Sequence, residues 1–185
     1  MIPVLAERDT LPHTLEDLRA SAAAREQRVV VWLVVNNRAD APAPVRAENA
    51  ETLAWLGQYD ATPLQCVTVD AATERCALPA DEGVGLARKI GLDHALAAAR
   101  DGNTALVCLD ADTRVDAAYL PALASFFETP RWGAVLDYAH PLAHADIVAY
   151  ERYLRYHALA LAHAGSPYAY PAIGSAMACS ARAYA

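Results

Sequence analysis

A chain of 185 residues is long enough to bury a substantial core. Its net charge of −7 excludes a broad electrostatic grip on nucleic acid or anionic lipid, but leaves room for a local cationic spot that takes one phosphate-bearing ligand. The hydrophobic content of 55% includes much alanine, so large core side chains are fewer than that fraction implies.

Residues 2–5 (IPVL) read as the tail of a strand that begins at or before the first residue. Residues 11–24 carry Leu11, Leu15 and Leu18 at helical spacing, with Thr10 placed to cap and Pro12 in the first turn. Residues 28–37 (RVVVWLVVNN) are a β-branched run of a buried strand, halted by two asparagines. A loop (RADAPAP) and a helix over 48–59 follow, then a third strand over 64–70 (LQCVTVD) and a polar loop to residue 81. The spacing predicts a helix over 84–100, a strand over 104–110, a helix over 116–128 and a strand over 132–138. A long helix over 143–164 and a strand over 173–179 (IGSAMAC) complete the order.

Buried strands alternating with helices predict an α/β fold, a mainly parallel sheet with helices on both faces, in a single domain over 1–185. Such sheets place ligands at the carboxyl ends of their strands. Asn36, Asn37, Asp70, Asp110 and Asp112 all fall at predicted carboxyl ends. Cys66, Cys76, Cys108 and Cys179 lack paired metal-type spacing and are expected as reduced thiols. The longest fully apolar run, residues 29–35, is far below the ~20 residues of a membrane helix, so no membrane span and a cytoplasmic location are expected.

Asp110 and Asp112 are two residues apart. On a strand that persists through both, their carboxylates project to the same side. Two like charges that close repel, and a hard divalent cation, Mn²⁺ or Mg²⁺, removes the conflict, with water and substrate phosphates completing its shell. The competing reading is an Asx-turn closed by Asp112.

Four segments extend this reading. IPVLAERD resembles the strand-Pro-x-x-Asn-Glu opening of family 2 glycosyltransferases, with Pro3 and Glu7 matching and Ala6 in place of asparagine. GVGLARKIG resembles their Ala-Arg-Asn-x-Gly segment through Ala87, Arg88 and Gly91, with Lys89 in the asparagine position. LDADT is similar to their Asp-x-Asp motif and IGSAM to their later Gly-Ser strand, and the four occur in the family's order over nearly the whole chain.

The resemblance implies a GT-A fold, a nucleotide-diphosphate sugar donor, a divalent metal and a hydroxyl-bearing acceptor. It places Pro3, Glu7 and Asn36 or Asn37 in the nucleotide pocket and Arg88 beside the nucleotide. It puts the metal on Asp112, with Asp110 at its side. Uridine is expected ahead of guanosine, since many members carry aspartate at the second-strand position, where it accepts from a uracil N–H; asparagine here can also accept through its carbonyl oxygen, which leaves the base open. Tyr168 and Tyr170 are candidates to receive the face of a sugar.

Each residue also has a plainer role. Arg88 can pair with Asp81 or Glu82, and Glu7 can favour the start of the first helix. His140 and His144 are expected to be structural or solvated. An acceptor hydroxyl needs a general base, which in the family follows the Gly-Ser strand in a Glu-Asp motif. No such motif precedes Ala185, so the domain is expected to be incomplete at its C-terminus; Asp137 is the candidate substitute. A nucleotide-sugar-binding module without turnover is the alternative. Phosphohydrolases of the haloacid dehalogenase type also use Asp-x-Asp, but with Thr or Val where Arg114 stands and on the first strand of the chain.

Overall fold

The computed structural model describes residues 1–23, 28–141 and 144–185. The predicted end of the first helix at Ala24 and the predicted start of the long helix at Ala143 lie outside these residues. Six strands and six helices are described: β1 (Ile2–Val4), α1 (Leu11–Ala23), β2 (Val30–Asn36), α2 (Ala43–Leu56), β3 (Gln65–Ala71), α3 (Val84–Ala97), β4 (Ala105–Cys108), α4 (Tyr119–Phe127), β5 (Gly133–Val135), α5 (Ala145–His163), β6 (Met177–Ser180) and α6 (Ala181–Tyr184).

The fold is mixed α/β. β1, β2 and β3 form a parallel sheet with β2 central, and β4, β6 and β5 form a second sheet in that order. The two meet at Met1, whose nitrogen donates to Val107 O at 2.6 Å and whose carbonyl accepts from Leu109 N at 3.1 Å. That is a parallel ladder contact placing β4 beside β1.

The expectation of a mainly parallel sheet needs correction at β6, which pairs antiparallel with both β4 and β5. An apolar run carries no sign of its direction, so the reversal is set by the path of the chain and not by the strand's own residues.

Helices do cover both faces. Val31, Leu33 and Val35 of β2 pack with Leu11, Leu15 and Leu18 of α1 and with Tyr119 and Leu120 of α4. Trp32 and Val34, on the alternate face, pack with Ala87, Leu86 and Ile90 of α3. Gly91 lets α3 lie close, since a Cβ there would sit 3.0 Å from Val34 Cγ2. α2 begins at Ala43, five residues ahead of the expected start, because a proline in the first helical turn is as compatible with a helix start as with a loop. α5 is the loosest element: Ala158 is its one buried residue, while Tyr153, Tyr156 and Leu159 are exposed. All four cysteines are free, and burial pushes the Cys66 thiol up to about 11.

Candidate site at the carboxyl edge of the sheet

β4 ends at Cys108, where its pairing with Met177 of β6 ends. Asp110 and Asp112 therefore sit in the turn beyond it, closed by Thr113 N donating to Asp110 O at 3.2 Å. The strand thus ends two residues before the expected Asp110, and the condition under which the two carboxylates would align, a strand persisting to Asp112, is not met.

Their surroundings separate them. Asp110 accepts from Arg88 Nη2 at 2.7 Å, with both side chains largely shielded. Arg88 thus pairs across the fold and not with Asp81 or Glu82. Gly174, in the segment before β6, permits this: a Cβ there would lie 2.5 Å from Arg88 Nη1. Three segments remote in sequence therefore converge on one guanidinium, and its Nε is buried without a hydrogen-bond partner among the described residues. Asp112 is exposed.

The turn is held from α1. Thr14 Oγ1 donates to Ala111 O at 2.7 Å, and Thr14 is fully buried. Asp17 accepts from Arg114 Nε at 2.5 Å, from Arg114 Nη2 at 2.9 Å and from Val115 N at 3.2 Å. Hydrogen bonding from Arg114 is the main reason its carboxyl is held below the usual range. Ser21 Oγ donates to Ala117 O at 3.1 Å and accepts from Leu120 N at 2.9 Å. Thr14, Asp17 and Ser21 are spaced as i, i+3 and i+7, so one stripe of α1 grips the whole approach to α4.

The neighbouring loops are braced by a residue that sequence reasoning passed over. Asn49 of α2 is fully buried; its Oδ1 accepts from Ala6 N at 2.9 Å, and its Nδ2 donates to Asn36 O at 3.0 Å and to Asn37 Oδ1 at 2.9 Å. Its signal was an asparagine inside a helix, where the residue is unfavourable unless its side chain has work elsewhere.

The remaining candidates scatter. Pro3 is buried within β1 opposite Val34. Glu7 accepts from Thr10 Oγ1 at 2.5 Å, and its carbonyl accepts from Leu11 N, which is the plainer helix-start role; the Thr10 hydroxyl is spent on Glu7. Both ends of the Asn37 side chain are used, since Nδ2 donates to Arg38 O at 3.0 Å. Asn36 is buried with Oδ1 lacking a partner among the described residues. Asp70 closes a turn through Ala72 N and Thr73 N; burial opposes its ionisation, but these bonds and the Thr73 hydroxyl outweigh it and hold its pKa low.

Tyr170 lines an open hollow of about 680 Å³ with Asp137, Met177 and Pro171. Tyr168 is exposed and does not line it. The Asp137 side chain is 92% exposed and pairs with Arg155 at 3.2 Å. His140 contacts Glu151 at 3.2 Å and packs edge-on to Tyr138 and Tyr150, a structural role.

Among the described residues no three His, Cys, Asp or Glu side chains cluster around a common point. One or two carboxylates, completed by water and phosphate oxygens, are nevertheless the usual protein share of a Mg²⁺ site. Exposed Asp112, with Asp110 beside it, fits that donor chemistry. No helix among the described residues is long and apolar enough to cross a membrane.

No protein-family model, curated protein or solved structure matches the chain.

Proposed function

We propose that the chain is the nucleotide-sugar-binding core of a GT-A-type glycosyltransferase, which moves a sugar from a nucleotide-diphosphate sugar, uridine ahead of guanosine, to a hydroxyl acceptor. The observation that carries this reading is the Arg88–Asp110 pair seated against Gly174 at the carboxyl edge. It joins three of the four motif segments at the place where an α/β sheet takes its ligand.

Arg88 is positioned to offset charge on the departing diphosphate. Asn36 Oδ1 offers an acceptor to a base N–H, while Asn49 holds the Asn36 carbonyl and the Asn37 side chain. Tyr170 offers a ring face beside the same rim. Asp112 and Asp110 would hold Mn²⁺ or Mg²⁺, and the ion would supply further countercharge to the phosphates. Acceptor deprotonation is the weak link, because Asp137 is solvated and paired with Arg155. That observation favours a second reading, a nucleotide-sugar-binding module without turnover.

Calorimetry with UDP and Mn²⁺ tests the proposal. The parent binds, Asp112→Ala loses the Mn²⁺-dependent part, and Arg88→Ala binds roughly ten- to a hundredfold more weakly, as loss of a charge-assisted bond worth ~1.5–3 kcal/mol requires. Failure of the parent to bind UDP or GDP with Mn²⁺ refutes both readings. Binding without transfer across a panel of UDP- and GDP-sugars and acceptors selects the second.

A further inference from the structure

α5 is held to the fold by one side. Glu151 and Arg155 turn inward, where they pair with His140, Asp137 and the Tyr138 carbonyl, and Ala158 is buried on the same side. At about 100° per residue the opposite side is made of Ala149, Tyr153, Tyr156 and Ala160, which fall within about 60° of one another around the helix. All four are exposed, Tyr153 by 65% and Tyr156 by 73%. Tyr153 stacks on His157 of its own helix, with ring centroids 6.3 Å apart, so its ring is braced along α5 and not by the sheet.

The order of these residues reads the same from either end: alanine, tyrosine, tyrosine, alanine, with Ala149 and Ala160 equally far from the midpoint of the two tyrosines. An isologous interface requires this property, because wherever residue i meets j on the second copy, j must also meet i. A two-fold axis through that midpoint, perpendicular to the helix, lays α5 of a second copy antiparallel on the first. Ala149 then faces Ala160 of the second copy at both ends, which lets the helices approach to the close limit of the usual separation of about 8–10 Å. Between the alanines the tyrosines of both copies meet around the axis, where rings pack offset or edge-on. On the flanks the axis sets Tyr150 beside His157 of the second copy and Leu159 along the stem of its Arg152. No carboxylate interrupts the face between Ala149 and Ala160, since Glu151 is drawn inward.

We infer that this face is the contact between two copies of the chain, which form a two-fold dimer through antiparallel α5 helices. A foreign partner would not need the palindromic order. A bilayer would favour large apolar side chains flanked by cations, where this face offers tyrosine hydroxyls and alanines. The area sets the strength of the dimer. An aromatic side chain has about 150–250 Å² to bury, so at their exposures Tyr150, Tyr153 and Tyr156 together with Leu159 offer on the order of 500 Å² per copy. That is below the ~800 Å² per partner of a standard interface, so the dimer is a weak one, with Kd on the order of 10 µM.

Sedimentation velocity from about 1 to about 300 µM, in ~0.15 M salt to screen the net charge of −7 on each copy, is expected to show monomer giving way to dimer. Tyr153→Lys and Tyr156→Glu each bring like charges together across the axis, and each is expected to weaken the dimer at least about tenfold. Both positions are exposed, so Tm is expected to stay unchanged. Mixed in equal amounts, the two variants are expected to recover a dimer, because antiparallel pairing sets the new cation of one beside the new anion of the other. A parent that stays monomeric throughout the range overturns the inference. So does a parent dimer that both variants leave intact, which puts the contact elsewhere, and so does a mixture that recovers no dimer, which removes the antiparallel pairing. Co-sedimentation of monomer with phosphatidylcholine–phosphatidylglycerol vesicles, lost in Tyr156→Glu, assigns the face to a lipid surface and likewise overturns it.

Discussion

Gly174→Ala isolates the central contact of the candidate site without touching a charge. Gly174 does not occupy the left-handed region, so alanine brings no backbone strain of its own. Its Cβ, however, would stand 2.5 Å from Arg88 Nη1 and 3.0 Å from Arg88 Cζ. The guanidinium is the end of a flexible side chain, so it yields rather than the backbone. Moving it breaks the 2.7 Å bond to Asp110. A hydrogen bond between charged groups is worth ~1.5–3 kcal/mol. The side chains are 22% and 35% exposed, so water recovers part of that, and the expected loss is about 1–2 kcal/mol. Urea denaturation measures it directly. The decisive arm is the double-mutant cycle with Arg88→Ala: once the guanidinium is gone, Gly174→Ala is expected to cost less than ~0.5 kcal/mol. A full 1–2 kcal/mol loss in the Arg88→Ala background would refute the idea that Gly174 is there to admit Arg88.

Asn49→Ala leaves Ala6 N, Asn36 O and Asn37 Oδ1 without their partner, two of these bonds being fully buried, and is expected to cost about 3 kcal/mol in urea denaturation; a loss below 1 kcal/mol would show that water replaces the brace. Asp17 has a folded-state pKa below its unfolded value, so its contribution is fully present above about pH 4 and is lost as pH falls through the folded pKa. Asp17→Asn is therefore expected to lower stability at pH 7 but to leave a shallower fall between pH 5 and pH 2, read by thermal melts across that range; parallel pH profiles for mutant and parent would sink this assignment.

The elements were legible where side chains alone decide them. The β-branched run that becomes β2 and the leucines of α1 name their structures without help from the rest of the chain. Boundaries failed where a partner decides: the β4–β6 ladder ends at the Cys108–Met177 pair, though the apolar run continues to Leu109. The resemblance singled out Arg88, Asp110 and Gly174 on separate segments, but their contact depends on tertiary closure that no spacing encodes. Asn36 and Asn37 read as equivalent in sequence; burial and the reach of Asn49 divide them into one acceptor without a partner and one fully used. Ala6 shows the reverse case. It sits at φ 52°, a conformation that asparagine tolerates better than alanine, so the departure from the resembling motif falls on a position with a backbone reason to prefer asparagine. Thr14, Asp17 and Ser21 stand at helical spacing beside the leucine stripe, and nothing in that spacing alone separates them from the polar flank of an amphipathic helix; only the contacts to residues 111–120 do.

The reversed direction of β6 changes which of its ends can evolve. β1 to β5 deliver residues to the carboxyl edge as they leave the sheet, and the loops after β1 to β4 each climb into a helix that packs back on the fold. β6 meets that edge on entry, so its rim segment is the approach from α5, residues 164–176. That approach carries Tyr168, Tyr170 and Gly174 and descends from the least buried helix of the fold. Insertions there leave every strand register intact, provided Gly174 still arrives against Arg88. The rim thus has a conservative side, tied down by α1 and Asn49, and a permissive side hung from α5, and a change in what the edge accepts would be written on the second.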